Sequence, residues 1–140
     1  MSINLKDIAL DTKQITTAYP GLPHFKLKIN YVSRKLSKKI LEAAQETQFV
    51  NGIAVKVQND DKFAEEFVKV AIEGWEGLTV ADVEKLMLID VPEDRLGDKV
   101  EFSIDNAVML VRNSSAFETW MNSTVFHLDT FRDSKQEPTA

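Results

Sequence analysis

ITTAYPGLPHFKLKINYV, residues 15–32, decides the fold. Ile15, Thr17 and Tyr19 fall on one face of an extended chain. Phe25, Leu27, Ile29 and Tyr31 then alternate with Lys26, Lys28 and Asn30. Period-two alternation marks a strand with one face in the core and one in water. Between the two runs stands Pro20-Gly21. Proline presets φ for the first central position of a type II turn, and glycine takes positive φ at the second. The stretch predicts a β-hairpin, with Pro20 and Pro23 widening the turn beyond a tight two-residue loop.

Working outward, Ser33 is an N-cap for a first helix whose apolar stripe is Leu36, Ile40, Leu41 and Ala44. Arg34, Lys35, Lys38 and Lys39 make it basic. GIAVKV, residues 52–57, alternates again and predicts a short third strand. Asp60 or Asp61 caps a helix lined by Phe63, Phe67, Val70, Ala71 and Gly74. EGWEGL, residues 73–78, reads as that helix's end and a turn. Thr79 with Asp82 resembles a capping box for a short helix carrying Val83, Leu86, Met87 and Ile89. DVPEDRLGDK, residues 90–99, is a loop. Ser103 caps a helix ending at Asn113. Ser114 or Ser115 opens a last helix with Phe117, Trp120, Met121, Thr124, Leu128 and Phe131 at spacings of three and four. Phe126 falls off that stripe. Trp75 and Trp120 are expected to pack between the middle helix and the last. The fold class is α+β: an amino-terminal hairpin and a short third strand packed with about five helices. Residues 1–132 form a single domain, and 133–140 a polar, disordered tail.

The chain has 140 residues, 44% of them hydrophobic, enough for a core. With no cysteine it has neither a disulfide framework nor a thiolate metal site. No stretch is apolar and long enough for a signal peptide or a membrane span, so a cytosolic location is expected. The net charge of −5 argues against a general nucleic-acid binder. It is unevenly spread: residues 1–50 carry +4 and residues 51–140 carry −9. Such polarity can steer a partner or a second copy of the chain.

Catalytic patterns are missing. The two histidines, His24 and His127, have no metal-ligand partner at helical spacing. No Gly-rich phosphate loop, GxSxG or HExxH occurs. The carboxylate pairs Glu65-Glu66 and Glu93-Asp94 suit solvated faces in an acidic protein. We therefore expect no catalytic, cofactor or metal site. The candidate partner-binding residues are large apolar side chains beyond the main stripes, Phe49, Trp75, Leu88 and Phe126, and the basic patch of Arg34, Lys35, Lys38 and Lys39.

Three pieces carry a family resemblance: AYPGLPHFKLKINYVSRKL (18–36), FVKVAIEGWEGL (67–78) and FSIDNAVMLVRNSSAFETWMNSTVFHLDTF (102–131). In their order and spacing the chain resembles the tail assembly chaperones of long-tailed bacteriophages, from about Ile8 to Phe131. ADVEKLMLIDVPEDRLGD, residues 81–98, has no counterpart. The resemblance implies a role without chemistry. Such proteins keep the very long, helical tape-measure protein soluble and are displaced as tail-tube protein polymerises around it. It also implies a longer frameshifted form and residence in the host bacterial cytoplasm with absence from the mature virion; pairing with a second copy, or with that longer form, is a further expectation, the former from the charge polarity. No membrane or nucleic-acid partner is expected. Two rivals stay open: a small adaptor or inhibitor of one defined protein, and an enzyme with a site around His24 or His127.

Overall fold

The computed structural model describes residues 2–132. The first hairpin forms where the alternation puts it. β1 (Gln14–Tyr19) and β2 (Leu22–Asn30) pair antiparallel, with Ile15 opposite Ile29 and Thr17 opposite Leu27. The turn is tighter than expected. Tyr19 pairs directly with Leu22, so Pro20-Gly21 is a two-residue loop, with Gly21 at φ +85°. The irregularity moves into β2, where the register slips between Ala18 and Tyr19. Pro23 has no N–H to give the ladder, which accounts for a break there.

One face of β2 is buried through Leu22, Phe25, Leu27 and Ile29, while Lys26 and Lys28 face water. Helices cover the buried face. α2 (Arg34–Ala43) starts at Ser33, whose hydroxyl accepts from the Leu36 N–H. α3 (Asp60–Ala71) is capped by Asn59, not by Asp60 or Asp61: its side chain accepts from the Lys62 N–H at 3.0 Å. The two aspartates instead occupy the first turn, where the helix dipole favours them.

EGWEGL is neither a helix end nor a turn, and Gly74 lines no helix. α3 stops at Ala71, and β5 (Ile72–Glu76) pairs antiparallel with β2, giving the sheet order β1-β2-β5. The free edge of β2 supplies hydrogen bonds that a helix would forgo, and Ile72 and Trp75 suit a pleated surface. The lone third strand is also corrected. QETQFV and IAVKVQ form a second hairpin, β3 (Gln45–Val50) and β4 (Ile53–Gln58), in a separate two-stranded sheet. Asn51 and Gly52 turn it at φ +53° and +79°. Both central residues at positive φ make a type I′ turn, for which Asn-Gly is the favoured pair.

α4 (Val80–Leu86) begins with the capping box: Thr79 and Asp82 each bond the other's backbone N–H. It ends at Leu86, leaving Met87 and Ile89 in the following segment. A 3₁₀ turn (Glu93–Arg95) interrupts the charged loop. α5 (Ile104–Asn113) and α6 (Ser115–Val125) are capped by Ser103 and Ser114. The last helix is two. α6 closes at Phe126 and α7 (Leu128–Arg132) follows, placing Phe131 against Tyr31 with ring centres 5.4 Å apart. The Val32 N–H bonds the Val125 carbonyl at 2.8 Å and pins this break to the end of β2. A short helical turn, α1 (Leu5–Ile8), precedes the first hairpin. Among the described residues this makes seven α-helices and five strands, more than about five helices and three strands, within the expected α+β class.

The aromatic core joins the first hairpin to α6. Tyr19 lies 5.8 Å from Phe117 and 5.0 Å from Trp120, ring centre to ring centre. The tryptophans do not pack between the middle helix and the last. Trp75, on β5, sits edge-on to Phe25 and Phe102 and donates its indole N–H to the Val100 carbonyl at 2.9 Å. The tail expected at 133–140 lies outside the described residues.

Candidate partner-binding surface

The most connected polar cluster is structural. His24 Nε2 lies 2.8 Å from Asp82 Oδ2, joining the start of β2 to α4. The same oxygen accepts from the Thr79 N–H at 3.1 Å and from the Thr79 hydroxyl at 3.0 Å. Burial pushes the Asp82 carboxyl up, but the Thr79 N–H, His24 and the Thr79 hydroxyl together hold it below its ordinary value. A carboxylate so fully engaged is committed to holding the capping box. His127 Nε2 lies 3.8 Å from the exposed Asp129. No group of three His, Asp or Glu among the described residues is placed to hold a metal ion.

The predicted partner-binding residues divide. Arg34, Lys38 and Phe126 meet in one open groove of ≈ 490 Å³, together with Tyr31, Val32 and Leu41. Arg34, Lys38 and Leu41 share a face of α2 because they recur at four- and three-residue steps. Phe126 reaches the groove because the chain breaks there. As the C-terminal cap of α6 it leaves the stripe that buries Phe117, Met121 and Val125. Its ring leans on Phe67 at 6.0 Å and is still 40% exposed. The groove thus has an aromatic and aliphatic floor and a cationic rim.

Phe49 stands apart, on the second hairpin, which leaves directly from the end of α2. No residue of β3 or β4 is buried. Val50, Ile53, Val55 and Val57 share one face by their cross-strand pairing, and Phe49 occupies the other beside the turn. Phe49 is 75% and Ile53 65% exposed. The hairpin is held at its base, where the Asn59 N–H bonds the Ala44 carbonyl at 2.8 Å and the Asn59 amide bonds Glu46 at 3.2 Å.

The remaining predicted residues lie elsewhere. Lys35 faces Asp11 at 3.4 Å, and Lys39 lies outside the groove lining. Leu88 is 99% exposed in the segment after α4. Trp75 is half-buried and held by Val100. Val50, Ile53 and Leu41 belong to the exposed apolar surface but were not singled out from the sequence. The signal for the first two was the Asn51-Gly52 turn, which turns two strands into an arm.

No family model matches the chain, and neither a curated protein nor a solved structure matches it.

Proposed function

We propose that the protein is a tail assembly chaperone that holds a tape-measure protein in solution and hands it to polymerising tail-tube protein, without chemistry. The observation that carries this reading is the groove that sets Phe126 and Leu41 between Arg34 and Lys38. An amphipathic helix lays its apolar stripe on such a floor and turns acidic flanking residues to such a rim. The second hairpin adds an apolar arm at the end of the same helix. Each contact is small, and many copies along one long client multiply weak contacts into firm retention. Such a chaperone acts in the host cytoplasm and is absent from the finished virion. Among the described residues no helix is long and apolar enough to cross a membrane.

The test is co-expression with a helical tape-measure fragment. The parent should keep the fragment soluble with several copies bound. Phe126→Ser with Leu41→Ser should release it into the pellet, while Arg34→Glu with Lys38→Glu should weaken binding only at low salt. Apolar docking persists at about 1 M salt, where the Debye length falls to ~3 Å and rim charges are screened. A floor variant that melts like the parent and still retains the fragment sinks the proposal. A fixed one-to-one ratio points to an adaptor.

A further inference from the structure

Asn51-Gly52, the turn of the second hairpin, also carries a reaction. The chain has seven asparagines, and only Asn51 is followed by glycine. Glycine has no Cβ to shield its backbone nitrogen, so that nitrogen can approach the carboxamide of the residue before it. Both residues are exposed. The Asn51 carboxamide has no hydrogen-bond partner among the described residues, and Gly52 lies outside both strands. Most of the other asparagines are held. Asn30 gives its amide to the Val70 carbonyl, Asn59 to Glu46, Asn106 to the Glu101 carbonyl and Asn113 to the Met109 carbonyl. Asn122 lies inside α6, where the helix ladder ties up the next N–H. Asn4 is followed by Leu5, whose side chain crowds the nitrogen.

We infer that Asn51 is a site of spontaneous isoaspartate formation, and that the change dissolves the second hairpin while leaving the core intact. The Gly52 backbone nitrogen attacks Asn51 Cγ and gives up its proton. The bond from Cγ to the side-chain nitrogen breaks, and that nitrogen leaves as ammonia. The product is a five-membered succinimide. Water then adds to one ring carbonyl and breaks its bond to the Gly52 nitrogen. Opening at Cγ gives aspartate; opening at the backbone carbonyl gives isoaspartate, whose chain runs through Cβ and Cγ. The folded turn holds the reaction back. A type I′ turn keeps ψ of Asn51 at about +30°, and closing the ring needs the Gly52 nitrogen swung round toward Cγ. The hairpin must therefore open first. Opening costs little, since β3 and β4 bury no residue and a lone two-stranded sheet is marginal. Isoaspartate then bars the way back. It puts an extra backbone carbon into a loop that must set Val50 opposite Ile53, and a new negative charge beside Phe49 and Val50. The buried cluster takes no residue from either strand, so it is untouched. The reaction needs no client and stands apart from the proposed function.

Mass spectrometry on the full chain, aged at physiological temperature and pH, tests this. Trypsin should release residues 40–56 as one peptide, whose only asparagine is Asn51. That peptide should show the amide-to-acid mass change about ten-fold or more faster than any peptide holding another asparagine. Backbone fragmentation that separates the isomers should find mostly isoaspartate. Asn51→Gly keeps a favoured type I′ pair and has no amide to lose, so it should stay unchanged. The aged parent and aged Asn51→Gly should unfold at the same urea concentration. Hydrogen exchange over residues 45–58 should quicken in the aged parent alone. The inference is overturned if Asn51 keeps its amide as long as Asn113 or Asn122, or if the product is aspartate alone. It is equally overturned if the hairpin of the aged parent exchanges like that of Asn51→Gly, or if the aged parent unfolds at a lower urea concentration.

Discussion

Gly77→Ala tests the joint between the sheet and α4. Gly77 follows β5 at φ +82°, in the left-handed region. A Cβ added there would lie well inside contact distance of the His24 carbonyl oxygen and 2.9 Å from its carbonyl carbon. Two costs follow. Alanine in the left-handed region costs ~1–2 kcal/mol. The clash is with backbone, which cannot rotate away, so the chain must separate from β2. That movement strains the Lys26–Glu76 pairing and the His24–Asp82 contact beyond it. Losing one or two such hydrogen bonds costs ~0.5–1.5 kcal/mol each. The sum is about 1.5–5 kcal/mol, a sizeable part of a domain's ~5–15 kcal/mol. Urea unfolding followed by tryptophan fluorescence reads it directly, since Trp75 sits two residues away. Gly74→Ala is the control. Gly74 has no positive φ, and a Cβ there meets nothing within 4 Å. If Gly77→Ala shifts stability by less than about 1 kcal/mol, or by no more than Gly74→Ala, the account of this close approach is wrong.

Asp82→Asn should cost about 1–2 kcal/mol near neutral pH, because the Thr79 N–H and hydroxyl and His24 lose their charged acceptor. The folded carboxyl titrates below its unfolded value of ~3.9. Its contribution is therefore complete above that value and disappears as pH falls through the lower folded one. Parent and variant melts should converge as pH falls, and a gap that does not narrow in acid would contradict this. Trp120→Ala should cost about 2–3 kcal/mol, less than a fully buried ring, because Trp120 is only half-buried against Tyr19 and Phe117. An unchanged melt combined with lost client retention would make it a contact residue instead.

The first hairpin, the capping box and the serine caps at 33, 103 and 114 were legible because each signal is local. A strand's alternation or a hydroxyl three residues before an N–H needs no distant partner. What was not legible depended on distant partners or on a signal passed over. Ile72–Glu76 continues a helical pattern and becomes a strand only because β2 offers an edge. Gln45–Val50 lacks alternation strong enough to announce a strand, and its pairing follows from Asn51-Gly52. Of the partner-binding residues, Arg34 and Lys38 could be placed on one face from spacing alone. That Phe126 joins them required the break after Val125, and neighbouring sequence does not encode how α6 meets the end of β2.

The second hairpin adds a separate argument for the proposed partner. A two-stranded sheet with no buried residue has little stability of its own. Both its edges offer unpaired backbone groups, and its tip shows Phe49, Val50 and Ile53 to water. An isolated chain gains nothing from this arrangement and bears an aggregation hazard. The core does not require it, since the buried cluster draws on no residue of β3 or β4. Asn59 and Ala44 hold its base, and the buried core contains none of its residues, so its strands add little to the stability of the rest of the fold. A rigid pocket would select one shape. Under the proposed function, the apolar arm at the end of α2 and the basic-rimmed groove on that helix would accommodate successive helical stripes of a long client.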